Sequence, residues 1–184
     1  MFTEIEAKIR GESSGPIVEA IKEAKAEFLC ELIQKDSYFD ESSKFKDSEQ
    51  ALRLRVSSCE EKRKNILAYK GPPQKSEFKR RQEIETEVSD SGNAEKLLQA
   101  IGYEKVLTFE KRRRLWQLDG CEIALDELPL LGYFVEIEGP DATAISKVQK
   151  KIGLEDLPHI RQSYADLMEA KLKELGRECT EILF

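Results

Sequence analysis

The chain has 184 residues, enough for one sizeable core, and reads as a single domain over 1–175 with a tail at 176–184. Apolar residues make up 40% of it and recur periodically, which excludes disorder, while charged residues at 36% exceed what an ordinary globular domain carries. The net charge of −6 argues against a nucleic-acid partner, although a local basic cluster can still hold a small anion.

No run approaches the roughly 18 apolar residues of a membrane span, and the opening MFTEIEAKIR has no signal-peptide pattern. The four cysteines, at 30, 59, 121 and 179, form no CxxC pair and read as reduced thiols. A cytoplasmic protein with no membrane partner is expected. His159 is the sole histidine and reads as idle, so hydrolysis by a serine or cysteine triad has no support.

Period-two alternation appears first at 3–10, where Thr3, Ile5, Ala7 and Ile9 oppose Glu4, Glu6, Lys8 and Arg10. A helix is predicted over 16–30, with Pro16 in its first turn and Ile17, Ile21, Ala24 and Phe28 on one face. A strand at 32–39 and a polar loop at 40–50 follow. Residues 51–57 alternate again, Leu52, Leu54 and Val56 against Arg53 and Arg55, and another strand covers 64–70. After a polar loop at 71–79, the strand at 81–88 sets Ile84, Thr86 and Val88 against Arg81, Glu83, Glu85 and Glu87.

A helix over 91–101 stops at Gly102. The strand at 104–118 is irregular, because Leu107 and Phe109 share parity with Lys111 and Arg113. Either its inner face turns from apolar to basic, or a bulge intervenes. Asp119-Gly120 predicts a hairpin into a strand at 121–126, and the last strand sets Tyr133, Val135 and Ile137 against Phe134, Glu136 and Glu138. Helices follow from Asp141 to Gly153 and from Ser163 to about Leu175, the second opening on a capping-box pattern. That makes eight strands and an α+β fold.

Alternation cannot say which strand face is inside. The charged faces either meet water or line a central cavity while helices cover the apolar faces. Two details favour the cavity. Charged residues sit two apart with little Ser, Thr or Gln between them, and they segregate by strand. Acid pairs lie at 4/6, 83/85 and 136/138, basic pairs at 53/55 and 111/113. A site with a metal on one wall and phosphates on the other needs such segregation. Mg2+ or Mn2+ takes hard oxygen ligands, which Glu4, Glu6, Asp126, Glu136 and Glu138 supply, and a cation would relieve their mutual repulsion. Arg53 and Arg55 present forks that match phosphate oxygens, with Lys8, Lys70, Lys111 and Arg113 completing a basic wall. No Walker loop occurs.

Taken together, EIEAK at 4–8, QKDSYFD at 34–40, RLR at 53–55, YKGP at 69–72, RRQEIETEV at 80–88 and KRR at 111–113 resemble the CYTH family. LDELPLLGYFVEIEG at 125–139 and SYADLM at 163–168 extend the resemblance over almost the whole chain. This family comprises the triphosphate tunnel metalloenzymes, including class IV adenylyl cyclases and thiamine triphosphatases, and the chain looks nearer the cyclase-like prokaryotic branch. The resemblance implies an eight-stranded antiparallel closed β-barrel with helices packed outside and a site for Mg2+ or Mn2+. It assigns Glu4, Glu6, Asp126, Glu136 and Glu138 to the metal and Lys8, Arg53, Arg55, Lys70, Arg81, Lys111 and Arg113 to phosphate. Glu83 and Glu85 become further tunnel-lining residues. Lys8 is a candidate to activate water if neighbouring cations lower its pKa, and Lys171 and Lys173 are both candidates for the basic residue the family often adds from its last helix. The implied partner is a small-molecule triphosphate, namely ATP, tripolyphosphate or thiamine triphosphate, and a homodimer is compatible with the resemblance.

Overall fold

The computed structural model describes residues 2–59, 62–76 and 78–184. Nine strands and five helices alternate among them. In chain order they are β1 (Phe2–Gly11), α1 (Ser14–Glu23), β2 (Glu27–Asp40), α2 (Lys44–Asp47), β3 (Ala51–Cys59), β4 (Lys62–Lys70) and β5 (Lys79–Glu87). Then come α3 (Ser91–Ala100), β6 (Glu104–Leu118), β7 (Cys121–Leu128), β8 (Gly132–Glu138), α4 (Ala142–Lys151), α5 (Tyr164–Glu174) and β9 (Glu181–Ile182).

The sheet runs β2-β3-β4-β5-β1-β8-β7-β6, and β2 pairs with β6 to close it. Every one of these ladders is antiparallel, so the result is an eight-stranded closed barrel. Register brings acid opposite base on the inner face: Glu6 faces Lys79, Lys8 faces Glu136, Lys70 faces Glu83, Asp36 faces Arg55 and Arg113 faces Asp126. The apolar faces point outward. Ala7, Ile9, Ile123, Leu125, Val135 and Ile137 bury themselves under Ile17 and Ile21 of α1, Ile145 and Val148 of α4, and Ile152 just after it. Leu54 packs under Leu98 of α3. Gly139 permits the α4 approach, since a Cβ there would come within 2.7 Å of Cys121 Sγ and 3.0 Å of Ile145 Cγ1. The expected eight-stranded tunnel with helices outside is therefore the observed fold.

One end is closed. On β6 the inner face does change character without a bulge: Leu107 and Phe109 join Phe134, Tyr164, Met168 and Leu172 in an apolar plug, while Lys111 and Arg113 stay charged. The two β2–β6 register shifts fall outside that stretch, between Phe28 and Cys30 and between Tyr38 and Phe39. Asp119 and Gly120 both adopt positive φ, 49° and 79°, which suits the two-residue turn joining β6 to β7.

Several boundaries differ from expectation. The first helix ends at Glu23 rather than 30, because Lys25 enters the left-handed region (φ 60°) and Glu27 onward finds hydrogen-bond partners on β6. Phe28 keeps its apolar role by meeting Trp116 edge-on at 5.5 Å between centroids. The loop at 40–50 contains the single-turn α2, whose start is tied by Asp40 carboxylate oxygens accepting from the Phe45 and Lys46 amides. Lys79, expected in the loop at 71–79, opens β5, and Glu77 of that loop lies outside the described residues. The tail at 176–184 supplies β9, which pairs in parallel with Thr108 and Phe109 beyond the end of β7 and buries Ile182 against the plug.

Candidate active site in the tunnel

The inner faces of all eight strands surround a cavity of about 440 Å³, within the size range of small-molecule sites. Nine lysine and arginine side chains face seven carboxylates along its wall. Thirteen of the fourteen expected site residues line it: Glu4, Glu6, Lys8, Arg53, Arg55, Lys70, Arg81, Glu83, Glu85, Lys111, Arg113, Glu136 and Glu138. Asp126 does not. It points inward but is fully buried beneath Arg113, which donates to both of its oxygens (2.6 and 2.5 Å), and Lys111, which donates to one (3.1 Å). Lys171 and Lys173 are also outside the cavity, the former paired with Glu174 at 2.9 Å and the latter on an outer groove.

The charges are matched in layers. Near the closed end, Lys8 Nζ lies 3.2 Å from Glu136, donates to the Gln162 carbonyl at 3.1 Å and sits 4.2 Å above the Tyr164 ring. Lys111 shares the same ring at 5.0 Å. Arg113 also bonds Glu136, and Arg55 grips Asp36 through two bonds of 2.6 and 2.7 Å. Further out, Lys70 bridges Glu4 (3.0 Å) and Glu83 (2.8 Å), and Lys79 holds Glu6 at 2.7 Å. Arg53 lies 3.7 Å from Glu83 and 3.6 Å from Glu85, and Arg81 reaches the Glu49 carbonyl at 3.4 Å. The Nε donors of both Arg53 and Arg81 are buried and have no hydrogen-bond partner among the described residues.

Proton affinities follow from this packing. Burial works to lower the pKa of Lys8, but Glu6 and Glu136 outweigh it and the net shift is upward. The acids beside Lys8 favour its charged form over the opposing effect of burial, the reverse of the shift that water activation needs. Lys111 shows the opposite balance: burial, then Arg113 and Arg55, bring it down to about 7 against the pull of Asp126. Burial and Glu136 push Glu6 upward, yet Lys79, Lys8 and Lys70 bring it to about 2. Glu4 is raised by burial and by Glu6 and Glu83 despite Lys70. Glu138 reaches about 7 through burial and the carboxylates of Glu4, Glu122 and Glu6.

A family model for the CYTH domain matches residues 3–167. The chain belongs to the CYTH family. A Methanocaldococcus jannaschii protein named as a candidate adenylate cyclase is 28% identical to it over 149 residues, 80% of this chain and 81% of that one. The solved structure of a Pyrococcus horikoshii protein superposes with a TM-score of 0.81 at 30% identity, covering 91% of this chain and 99% of the other. A Hippeastrum protein, described as a candidate adenylyl cyclase with dominant triphosphatase activity, shares the fold at a TM-score of 0.67 and 18% identity, with 96% and 97% coverage. CYTH proteins include candidate adenylate cyclases and triphosphatases, which supports an enzyme, and membership of the family implies dependence on a divalent cation.

The CYTH tunnel of this chain fits such a cation in composition more than in present arrangement. Among the described residues no three acidic, histidine or cysteine side chains are gathered into a ready cage. The reason is visible in the ion pairs: Lys70 and Lys79 hold Glu4 and Glu6. The donor chemistry nonetheless suits a hard cation, since Glu4, Glu6, Glu122, Glu136 and Glu138 hang from three neighbouring strands. Glu138 has no hydrogen bond or ion pair to the described residues, and its raised pKa reports an acidic cluster short of positive charge.

Some residues of the site escape sequence reading. Asp36 and Lys79 complete the ion-pair lattice, Glu122 faces Glu138 across the β7–β8 ladder, and Tyr164 separates Lys8 from Lys111. Asp36 shares strand parity with Gln34 and Tyr38, so alternation within 32–39 could have exposed it. Tyr164 follows directly on the Ser163 cap, whose hydroxyl accepts from the Asp166 amide while Asp166 accepts from the Ser163 amide. No local signal marks Lys79, whose partner Glu6 is 73 residues away.

Proposed function

We propose that this chain is a divalent-cation-dependent enzyme that holds a triphosphate along the tunnel and breaks one of its phosphoanhydride bonds. One observation carries the reading: nine lysine and arginine side chains face seven carboxylates in one cavity, among them Arg53 and Arg81, whose buried Nε donors have no partner among the described residues. A buried donor without an acceptor is costly, and an anionic oxygen is the natural occupant. Arg53, Arg55, Lys70, Arg81, Lys111, Arg113 and Lys8 are the proposed phosphate contacts. Glu4, Glu6, Glu136 and Glu138, with Glu122, would hold Mg2+ or Mn2+. When bound, the cation supplies charge neutralisation and polarisation of phosphate oxygens. Asp126 and Asp36 serve as positioning residues that aim Arg113, Lys111 and Arg55. Catalysis by such a site is mainly orientation and electrostatic stabilisation.

Two reactions use this machinery. In the class IV adenylyl cyclase type, the ribose 3′-oxygen of ATP bonds to the α-phosphorus and pyrophosphate leaves; the name of the M. jannaschii relative supports this reading. In hydrolysis, water bonds to the terminal phosphorus and orthophosphate leaves. The test is one assay panel of ATP, thiamine triphosphate and tripolyphosphate, each with Mg2+ or Mn2+. Cyclic AMP with pyrophosphate supports the cyclase, and orthophosphate supports the hydrolase. No product from any substrate overturns the enzyme reading. Glu4→Gln is expected to lower turnover at least a hundredfold while leaving the circular dichroism spectrum unchanged, because Lys70 retains Glu83.

A further inference from the structure

At the end of the tunnel away from α5, two thiols share the inner face of neighbouring strands. The inward residues of β3 run Arg53, Arg55 and Ser57, and the same alternation continues to Cys59. Those of β2 run Tyr38, Asp36 and Gln34, and continue through Leu32 to Cys30. Cys30 stands opposite Leu115 of β6, a residue of the cavity wall, so the bulge between Phe28 and Cys30 leaves it facing inward.

Successive inner rungs between β2 and β3 are tied side chain to side chain. Arg55 donates to Asp36 at 2.6 and 2.7 Å, and Gln34 donates to Ser57 Oγ at 3.1 Å. The ladder itself ends at Ile33 and Ser58. One step further out, Cys59 comes beside Leu32 and diagonal to Cys30, a spacing at which facing side chains still reach each other. That reach is felt at Cys30. Burial raises its thiol above the ordinary value, and the charge of Cys59, that of Glu122 and a hydrogen bond with Cys59 act in the same direction. Both cysteines are free and half-buried, hence open to a small oxidant, whereas Cys121 is buried and Cys179 lies on the tail.

We propose that Cys30 and Cys59 form an oxidative modification site, which a hydroperoxide converts into a reversible disulfide stapling the rim of the tunnel between β2 and β3. One thiolate bonds to a peroxide oxygen and the O–O bond breaks, leaving a sulfenic acid and hydroxide that takes up the thiol proton as water. The second sulfur then bonds to the first, the S–O bond breaks, and a second water leaves. The two thiols give up two electrons, and one hydrogen peroxide becomes two waters. A disulfide needs Cα atoms within about 7 Å, and a diagonal pair starts near that limit. The end of β3 is free to close the remainder, since at Cys59 it pairs with Lys62 of β4 and not with β2 among the described residues. A bond at an accessible rim is also one that cellular thiols can reduce, as in redox-responsive rather than structural disulfides.

The test treats the full-length protein with hydrogen peroxide, blocks remaining thiols, and maps tryptic peptides without reduction. Cys30 lies in the peptide 26–35 and Cys59 in the peptide 56–62. The expected product is these two peptides joined, about two mass units lighter than their sum, and separated again by dithiothreitol. Oxidation should also raise Tm by about 5 °C or more, because the bond closes the loop 30–59. Cys30→Ser and Cys59→Ser should each abolish both the joined peptide and the Tm rise, while Cys179→Ser should keep both. Oxidation of Cys30 and Cys59 separately to sulfinic acids, a disulfide that involves Cys179 instead, or a joined peptide with no change in Tm overturns the proposal. The wild-type map decides the matter even if a variant fails to fold.

Discussion

Asp36 and Arg55 illustrate how strongly single residues are constrained inside this barrel. Asp36 is 1% exposed, and the adjacent guanidinium holds its carboxyl well below the usual carboxylate range despite burial. Arg55→Met is expected to destabilise the fold by about 3–5 kcal/mol, because it leaves a buried carboxylate without its fork. Asp36→Asn in the same chain should recover part of that loss, as read by urea unfolding. The sign of the pH dependence is set by the depressed pKa: this pair's contribution is present above the ordinary carboxylate range and lost as pH falls through the folded value. Lys111 behaves in the opposite way. Its folded pKa of about 7 lies below the ordinary lysine value of 10.5, so between these limits the unfolded chain binds more protons and this group's contribution to stability rises with pH. A bound triphosphate adds negative charge beside Lys111 and raises its pKa again. At pH 8, triphosphate binding should therefore be coupled to uptake of up to one proton, measured by calorimetry in buffers of different ionisation enthalpy. Lys111→Met should remove most of that uptake.

At the scale of elements, α5 and β9 act together on the closed end. Helix α5 carries Tyr164 under Lys8 and Lys111, and its capping box fixes where the helix begins. Ser163→Ala is expected to cost about 1 kcal/mol by removing the cap. Ile182→Ala should cost about 2 kcal/mol, since Ile182 is buried against Leu107, Phe109 and Leu172. Thermal unfolding with each single variant and the pair will show whether the two effects add. A larger-than-additive loss in the pair is expected, because both elements close on the same apolar plug. The elements also show why some boundaries were legible and others were not. The capping box at Ser163 and the Asp119-Gly120 turn are local signals, and both appear as expected. Residues 24–30 satisfy a helical period and a strand period at once, and only the ladder with β6 decides between them. The two residues of β9 carry no pattern of their own; an unpaired edge of β6 beyond β7 recruits them.

For the whole molecule, occupancy of the tunnel should appear as stability. With Mg2+ and a triphosphate at a hundred times its dissociation constant, the free energy of unfolding should rise by about 2.7 kcal/mol. Chelation of the cation should reduce the shift, because the excess of cations over carboxylates in the wall is small beside the charge of a triphosphate. Melting curves with and without chelator measure this directly. The alternation of charge and hydrophobicity along each strand settled that the strands have two chemically distinct faces, and the grouping of acids at 4/6 and 136/138 and of bases at 53/55 and 111/113 already named most of the tunnel wall. Those are properties of nearest neighbours along the chain. Closure through β2 and β6 decided that the charged face turns inward, since a complete ring with α1, α3 and α4 over its outer face buries most of the apolar strand residues. The same closure buried Asp126 beneath Arg113 and Lys111, gave Lys79 its partner, raised the pKa of Lys8 and lowered that of Lys111. Each of these depends on charges brought together from distant strands, and a proton affinity is a sum over neighbours in space, which the linear order of residues does not contain.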